Sequence, residues 1–252
     1  MTSQIDRLLH IMRTLRHPTE GCEWDLAQTF QTIVPHTIEE AYEVADAVER
    51  NDLEDLRSEL GDLLFQVVFQ SRIAEEAGHF NFEDVARAMS DKLEARHPHI
   101  FGDEELPGGM REERWEALKA KERAAEGSQS AIDGVATALP ALIRAQKLQK
   151  RAARVGFDWP DIEGPRAKVF EEIEELESAT SQTHREEEAG DLLFAIVNYL
   201  RAHDIAAEDA LRAANSKFER RFRGMEELAQ GTFEQLDLDA QEALWQQVKS
   251  RE

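Results

Sequence analysis

One pentapeptide occurs twice in this chain. Gly61-Asp62-Leu63-Leu64-Phe65 returns as Gly190-Asp191-Leu192-Leu193-Phe194. The surroundings return with it: Glu39, Glu40 and Glu43 match Glu171, Glu172 and Glu175, and Glu59 matches Glu188. Further on, Glu83, Asp84, Arg87, Lys92 and Arg96 match Glu208, Asp209, Arg212, Lys217 and Arg221. Spacing between the copies changes only between the blocks, as shortened loops would produce. A chain that repeats itself on this scale is two copies of one folding unit. The Gly127 to Gly134 stretch, with its serines and glycines, is the natural break. The expected division is residues 1–126, a linker at 127–135, and residues 136–252.

The fold class follows from periodicity. Apolar residues recur at three- and four-residue steps, as in Leu60, Leu63, Leu64, Val67 and Val68 and again in Leu192, Leu193, Ile196, Val197 and Leu200. Strand-like alternation is almost absent, so the chain reads as all-α, with tandem helical-bundle repeats. Helices are predicted at roughly 3–16, 25–34, 37–50, 52–77, 82–96, 111–125, 137–154, 162–178, 183–203, 206–230 and 238–250. Breaks are expected at Pro35, Gly78, His97 to Gly109, Gly127 to Gly134 and Val155 to Pro160.

Charge narrows the partners. With 30 Lys and Arg against 52 Asp and Glu, the formal net charge is -22, which repels duplex nucleic acid and anionic membrane surfaces. An anionic small molecule still binds where cations and a few local Lys or Arg residues invert the field. The single cysteine, Cys22, excludes an internal disulfide and a Cys-based zinc site, as expected in a reducing compartment. Met1 to Arg16 lacks the apolar core of a signal peptide, and no stretch approaches the roughly 20 apolar residues of a membrane span. A cytoplasmic location is expected.

The acidic residues carry the chemistry. Positions three and four apart share a helix face, so Glu40 with Glu43, Glu59 with Asp62, Glu172 with Glu175, and Glu188 with Asp191 form paired-carboxylate faces. Short loops favour antiparallel neighbours, and the apolar run after each Gly-Asp sets that helix against a core. Four carboxylates then converge at a core edge in each repeat. Two like charges about 4 Å apart repel by roughly 4 kcal/mol at an effective dielectric near 20, so the cluster calls for protonation or a cation. Oxygen-only ligands suit hard divalent ions, and Mg2+ is held by a few carboxylates together with substrate phosphates. About one residue in five is acidic, so a lone Glu-Glu-x-x-Glu is a solvated helix face; its recurrence in register beside an identical pentapeptide is what points to a metal site.

At these residues the chain resembles the MazG family of nucleoside triphosphate pyrophosphohydrolases, in its full-length tandem form. The likeness spans essentially the whole chain. It also takes in His97-Pro98-His99-Ile100-Phe101-Gly102-Asp103, Trp115-Glu116 with Lys119, and Val155-Gly156-Phe157-Asp158-Trp159-Pro160. The resemblance implies an all-α pyrophosphatase fold working as a homodimer, whose bundles are built from both subunits. It implies Mg2+-dependent hydrolysis, with Mn2+ as a substitute, of ribo- and deoxyribonucleoside triphosphates to the monophosphate and pyrophosphate. It further implies that the second repeat is the main catalytic unit. Carried over by position, Glu172, Glu175, Glu188 and Asp191 are metal ligands, and Lys168, Lys217, Arg221 and Trp245 contact the nucleotide. Glu40, Glu43, Glu59, Asp62, Lys92 and Arg96 keep the first site intact, except that His36 stands where the second repeat has Lys168.

Chemically, water is expected to attack the α-phosphorus in line, with pyrophosphate leaving and Glu175 or Glu171 accepting a proton. Lys217 and Arg221 lie four apart on one face, within reach of phosphate oxygens or, equally, of nearby acids. Trp245 is placed either on a base or in a core. Asp158 reads as a helix start, Trp24 and Trp159 as loop anchors, and Phe101 and Trp115 as interface or core residues. Two other readings compete. A di-iron bundle needs Glu-x-x-His pairs, which Glu76 with His79 and Glu94 with His97 supply in the first half alone. A nucleotide-sensing module would use the same acidic sites without turnover.

Overall fold

The computed structural model describes residues 3–102, 115, 118–119, 127 and 129–251. Every regular element among them is helical. The chain divides into two compact units, residues 1–118 and 119–252. Most of the helix expected at 111–125, with Glu116 and the Asp103 that closes the His97 motif, lies outside the described residues.

In the first unit, α1 (Gln4–Leu15) starts from a reciprocal cap: the Ser3 hydroxyl accepts from the Asp6 amide, and the Asp6 carboxylate accepts from the Ser3 amide. A short α2 (Glu23–Ala27) leads into α3 (Phe30–Glu49). Pro35 was expected to end a helix, yet α3 runs through it. The loss of one backbone donor is local, and the helix is held before it by the Thr29 cap and Ile33 and after it by Ala47, both apolar residues being fully buried. Asp52 caps α4 (Leu53–Glu76) by accepting from the Glu54 and Asp55 amides. The intervening turn needs a left-handed residue, supplied by Asn51 at φ 55°. Arg50 spans that turn by bonding Asp46 at 2.8 Å and also Asp55. The result is a tight pair, α3 against α4. Beyond Gly78, α5 (Phe82–Arg96) begins at an Asn81 capping box, and α6 (Pro98–Phe101) is one turn.

Met12, Ile33, Val68 and Phe69 form this unit's core, with Leu8, Leu9, Phe65, Ile73 and Phe82 packed against it. Arg16, only 6% exposed, is neutralised at its edge by Glu76 at 2.7 Å. Burial pushes the Glu76 carboxyl up, but its bonds to Arg16 and Arg72 outweigh that and hold it below the ordinary carboxylate range. Glu76 is thereby committed to arginines, and His97 Nδ1 lies 2.7 Å from the Leu93 carbonyl. Neither Glu-x-x-His pair appears in the acidic clusters found among the described residues.

The second unit repeats the plan with α7 (Ala141–Arg154), α8 (Glu163–Ser178), α9 (Gln182–Ala202), α10 (Ala207–Ala229), a single 3-10 turn at Phe233–Gln235, and α11 (Leu238–Lys249). Helices α8 and α9 pair as α3 and α4 do, and Ser181 caps α9 by accepting from the His184 amide. Gln149 ties α7 to α9 through a 2.8 Å bond from its Nε2 to the Phe194 carbonyl. The Asp133 carboxylate accepts from the Gln129 and Ser130 amides, and Arg151 donates to the Asp133 carbonyl, so this serine- and glycine-rich stretch is tied to α7. Asp158 does not start a helix. Its carboxylate is taken by Arg201, while Asp161 accepts from the Glu163 amide where α8 begins. No helix among the described residues is long and apolar enough to cross a membrane.

Candidate metal and phosphate site

Each unit brings its acidic faces together on one helix pair. In the second, carboxylate oxygens of Glu172 on α8 and of Glu188 and Asp191 on α9 all lie within 4.8 Å of one another. In the first, Glu40 and Glu43 on α3 and Glu59 on α4 do the same. The fourth carboxylate of each expected quartet, Glu175 and Asp62, is not part of these groups but lies within electrostatic reach of them. Glu175 is held above its ordinary value by burial first and then by the charges of Glu172 and Glu188, with Lys168 pulling the other way. Glu40 is raised by burial and then by Asp62 and Glu43, and Glu59 by burial and then by Glu43.

Glu172 is the centre of the second cluster, because it is only 3% exposed. Its Oε1 accepts from Lys168 Nζ at 2.6 Å, and its Oε2 is buried with no hydrogen-bond partner. A buried carboxylate oxygen without a partner carries a substantial desolvation cost. A divalent cation shared with Glu188 and Asp191 would relieve it, and an all-oxygen donor set fits Mg2+ or Mn2+. Lys168 also bonds Glu171 at 2.9 Å, and the two carboxylates raise its own proton affinity. His184 completes the rim, 2.8 Å from Glu188. In the first unit, His36 stands where Lys168 does; it pairs with Glu39 at 3.5 Å and meets the Trp24 ring edge-on at 6.5 Å.

A cavity of about 560 Å³ opens beside the second cluster. Lys168, Glu172 and Asp191 are among the residues that line it, together with the apolar Trp159, Pro165 and Phe194. Trp159 is fixed from behind: a Cβ at Gly164 would fall 2.0 Å from its ring, so only glycine fits there. Arg201 braces the same loop, bonding Asp158 at 2.6 Å, and is itself positioned by donating from Nε to Asn198 Oδ1 at 2.8 Å. That pairing holds Asp158 below its ordinary value.

Lys217, Arg221 and Trp245 do not line this cavity. Arg221 and Trp245 meet between α10 and α11, where the Arg221 guanidinium lies 5.3 Å from the Trp245 ring and Phe218 packs 5.8 Å from it. Trp115, half-buried, carries Arg96 over its ring at 4.9 Å, whereas Phe101 is exposed. Sequence reasoning missed Gln149, Asn198 and Arg201, since isolated polar residues in helices give no local signal of a shared cavity.

These carboxyls predict how pH and cation act on stability. Groups raised above their unfolded values favour the fold below the unfolded pKa, and lose that contribution as pH rises through the folded one. In EDTA, lowering the pH from 8 towards about 5 is therefore expected to raise the melting temperature. With saturating Mg2+ the trend should flatten or reverse, and ligand at about 100 times its Kd should add about 2.7 kcal/mol. Differential scanning fluorimetry checks both, and an Mg2+-independent profile would contradict the site.

Comparison with known proteins agrees with this geometry. Residues 28–101 match the family model described as the MazG nucleotide pyrophosphohydrolase domain. The chain is 52% identical to the nucleoside triphosphate pyrophosphohydrolase of Escherichia coli strain K12, over 99% of this chain and 98% of that one. It is 43% identical to the nucleoside triphosphate pyrophosphohydrolase/pyrophosphatase MazG of Thermotoga maritima, over 97% and 95%. A shorter match, 40% over 53% of this chain, is to the nucleoside triphosphate pyrophosphohydrolase of Mycobacterium tuberculosis. With repeat, helix pairs and full-length likeness in agreement, the chain belongs to the MazG nucleotide pyrophosphohydrolase family.

Proposed function

We propose that this enzyme, a nucleoside triphosphate pyrophosphohydrolase, cleaves ribo- and deoxyribonucleoside triphosphates to the monophosphate and pyrophosphate, chiefly in its second unit. The observation that carries this reading is the buried, unpartnered Glu172 Oε2 set against Glu188, Asp191 and the Lys168 ammonium. Glu172, Glu175, Glu188 and Asp191 would hold Mg2+, or Mn2+ in its place. When bound, that cation neutralises the triphosphate and lowers the pKa of water.

The chain's own groups do the rest. Lys168 exchanges its carboxylates for a phosphate oxygen, a charge-assisted bond of the same kind. Glu175, or Glu171 once Lys168 has moved from it to the phosphate, takes the proton of the attacking water. Lys217, Arg221 and Trp245 do not line the cavity beside Glu172; they would reach the polyphosphate from a second copy in the homodimer proposed below, with Trp245 as the platform that aims Arg221. Asp191→Ala is expected to lower kcat/KM by about a hundredfold or more, measured as Mg2+-dependent pyrophosphate release. In 18O-labelled water the label should enter the monophosphate, and its appearance in pyrophosphate would exclude attack at the α-phosphorus.

The first unit has its carboxylates but no fixed positive charge at His36, which favours cation binding with lower turnover there. Adding His36→Lys to the Asp191→Ala protein should raise the residual rate several-fold, and an unchanged rate would remove this explanation.

A homodimer is proposed for a related reason. Val34, Ile38 and Tyr42 on α3 and Phe170, Ile173 and Leu193 on α8 and α9 are exposed large apolar residues on the helices that carry the sites. Gly61 and Gly190 have nothing within 4 Å of an added Cβ, although a mid-helix glycine costs about 1 kcal/mol against alanine. A second copy packed closely on these helices accounts for both features. Sedimentation equilibrium should give twice the 28.7 kDa chain mass, and a monomer at micromolar concentration would refute it. We place the enzyme in the cytoplasm, where the exposed Cys22 stays reduced.

A further inference from the structure

From the cavity in the second unit we infer that Trp159, Phe194 and the α7–α9 contact form a nucleobase pocket, and that Gln149 Oε1 reads a hydrogen-bond donor on the base edge. The inference rests on the reading of the chain as a nucleoside triphosphate pyrophosphohydrolase, and adds how the nucleoside is recognised.

The cavity is lined by two chemically different sets of residues. Lys168, Glu172 and Asp191 supply charge, where a cation and phosphates belong, and aromatic and aliphatic side chains make up much of the rest. A ligand that fits both has a polyphosphate joined to a flat, largely apolar group. Its volume, about 560 Å³, suits a small organic ligand. The walls are fixed rather than adaptable: Trp159 is pressed against Gly164, and its loop is braced by Arg201 through Asp158.

Among the polar groups lining the cavity, Gln149 stands out. It is 7% exposed, and its Nε2 is committed to the Phe194 carbonyl at 2.8 Å. That bond fixes the amide's orientation and leaves Oε1 buried without a partner. Asn198 and Arg201 give no such opening, since Asn198 Oδ1 accepts from Arg201 and Arg201 holds Asp158. Gln149 lines the cavity, and a buried acceptor left without a partner there favours ligands that bring a donor. Adenine and cytosine bring an exocyclic amine; guanine and uracil or thymine bring a ring N–H. One acceptor therefore serves every standard base, which is recognition without strong discrimination.

The first unit shows the same position closed. Seven residues beyond each Gly-Asp aspartate, the second unit has Asn198 and the first has Phe69. Phe69 is 0% exposed, with the Trp24 ring edge-on at 6.5 Å. Where the second unit has Ala195, the first has the larger Gln66, also buried. The volume that admits a base in one repeat is core in the other.

The test compares UTP with 3-methyluridine 5′-triphosphate, which lacks the ring N–H, by Mg2+-dependent pyrophosphate release from the full-length protein and from Gln149→Ala. The wild-type protein should prefer UTP by about tenfold or more in kcat/KM. Gln149→Ala should lose rate on UTP and bring the two substrates close to parity. Equal use of both by the wild-type protein, or a preference that survives Gln149→Ala, overturns the pocket assignment while leaving the hydrolase reading intact. If Gln149→Ala fails to fold, the wild-type comparison decides alone. If no nucleotide yields pyrophosphate, the hydrolase reading falls, and UMP binding then judges the pocket. Fluorescence quenching by UMP that Trp159→Leu removes supports the pocket, and no quenching overturns it.

Discussion

Mutual repulsion among carboxylates on adjacent helices is the constraint around which this protein is arranged. Nothing in helix formation asks Glu172, Glu188 and Asp191 to share a few ångströms. They are held there by the packing of α8 against α9, in which Pro165, Ala195 and Val197 are buried. Packing thus opposes electrostatics, and the burial of apolar surface outweighs the repulsion. The same opposition recurs in the first unit, where Ile33, Val68 and Phe69 hold α3 and α4 together while Glu40, Glu43 and Glu59 face one another. Local rules broken in favour of a costly arrangement mark functional sites, and here they are broken twice in register.

Much of this was legible in the sequence because helices advertise themselves. The three- and four-residue recurrence of apolar positions located α4, α5, α9, α10 and α11 to within a residue or two. Identical side-chain spacing on two helix pairs located the carboxylates. Pro35 misled, because a proline signal is local and the burial that carries α3 through it is not. Asp158 misled for the same reason: its partner, Arg201, is 43 residues away. The cavity was invisible, since Gln149, Trp159 and Asn198 come from three separate segments and none belongs to the repeated pattern.

The two units show how one scaffold diverges. Their helix pairs and acidic faces correspond, yet the interiors next to those faces differ at a few positions. Phe69 completes a packed core that includes Met12 and Ile33, and gives the first unit a continuous apolar interior. Asn198 makes the corresponding place polar, and the Arg201–Asp158 pair takes over part of the work of fixing the loop. An ion pair with one partner largely shielded from solvent holds geometry well but stabilises less than apolar packing would.

Lys168 gives the second cluster an internal counter-ion, bonded to both Glu171 and Glu172. Any cation arriving at Glu172 competes with that ammonium, and any phosphate that draws the ammonium away frees the carboxylate. By reciprocity each ligand then tightens the other by the same factor. On the proposed reading the resting protein would be spared strong chelation of free divalent ions, and its grip would be conditional on the two arriving as one complex.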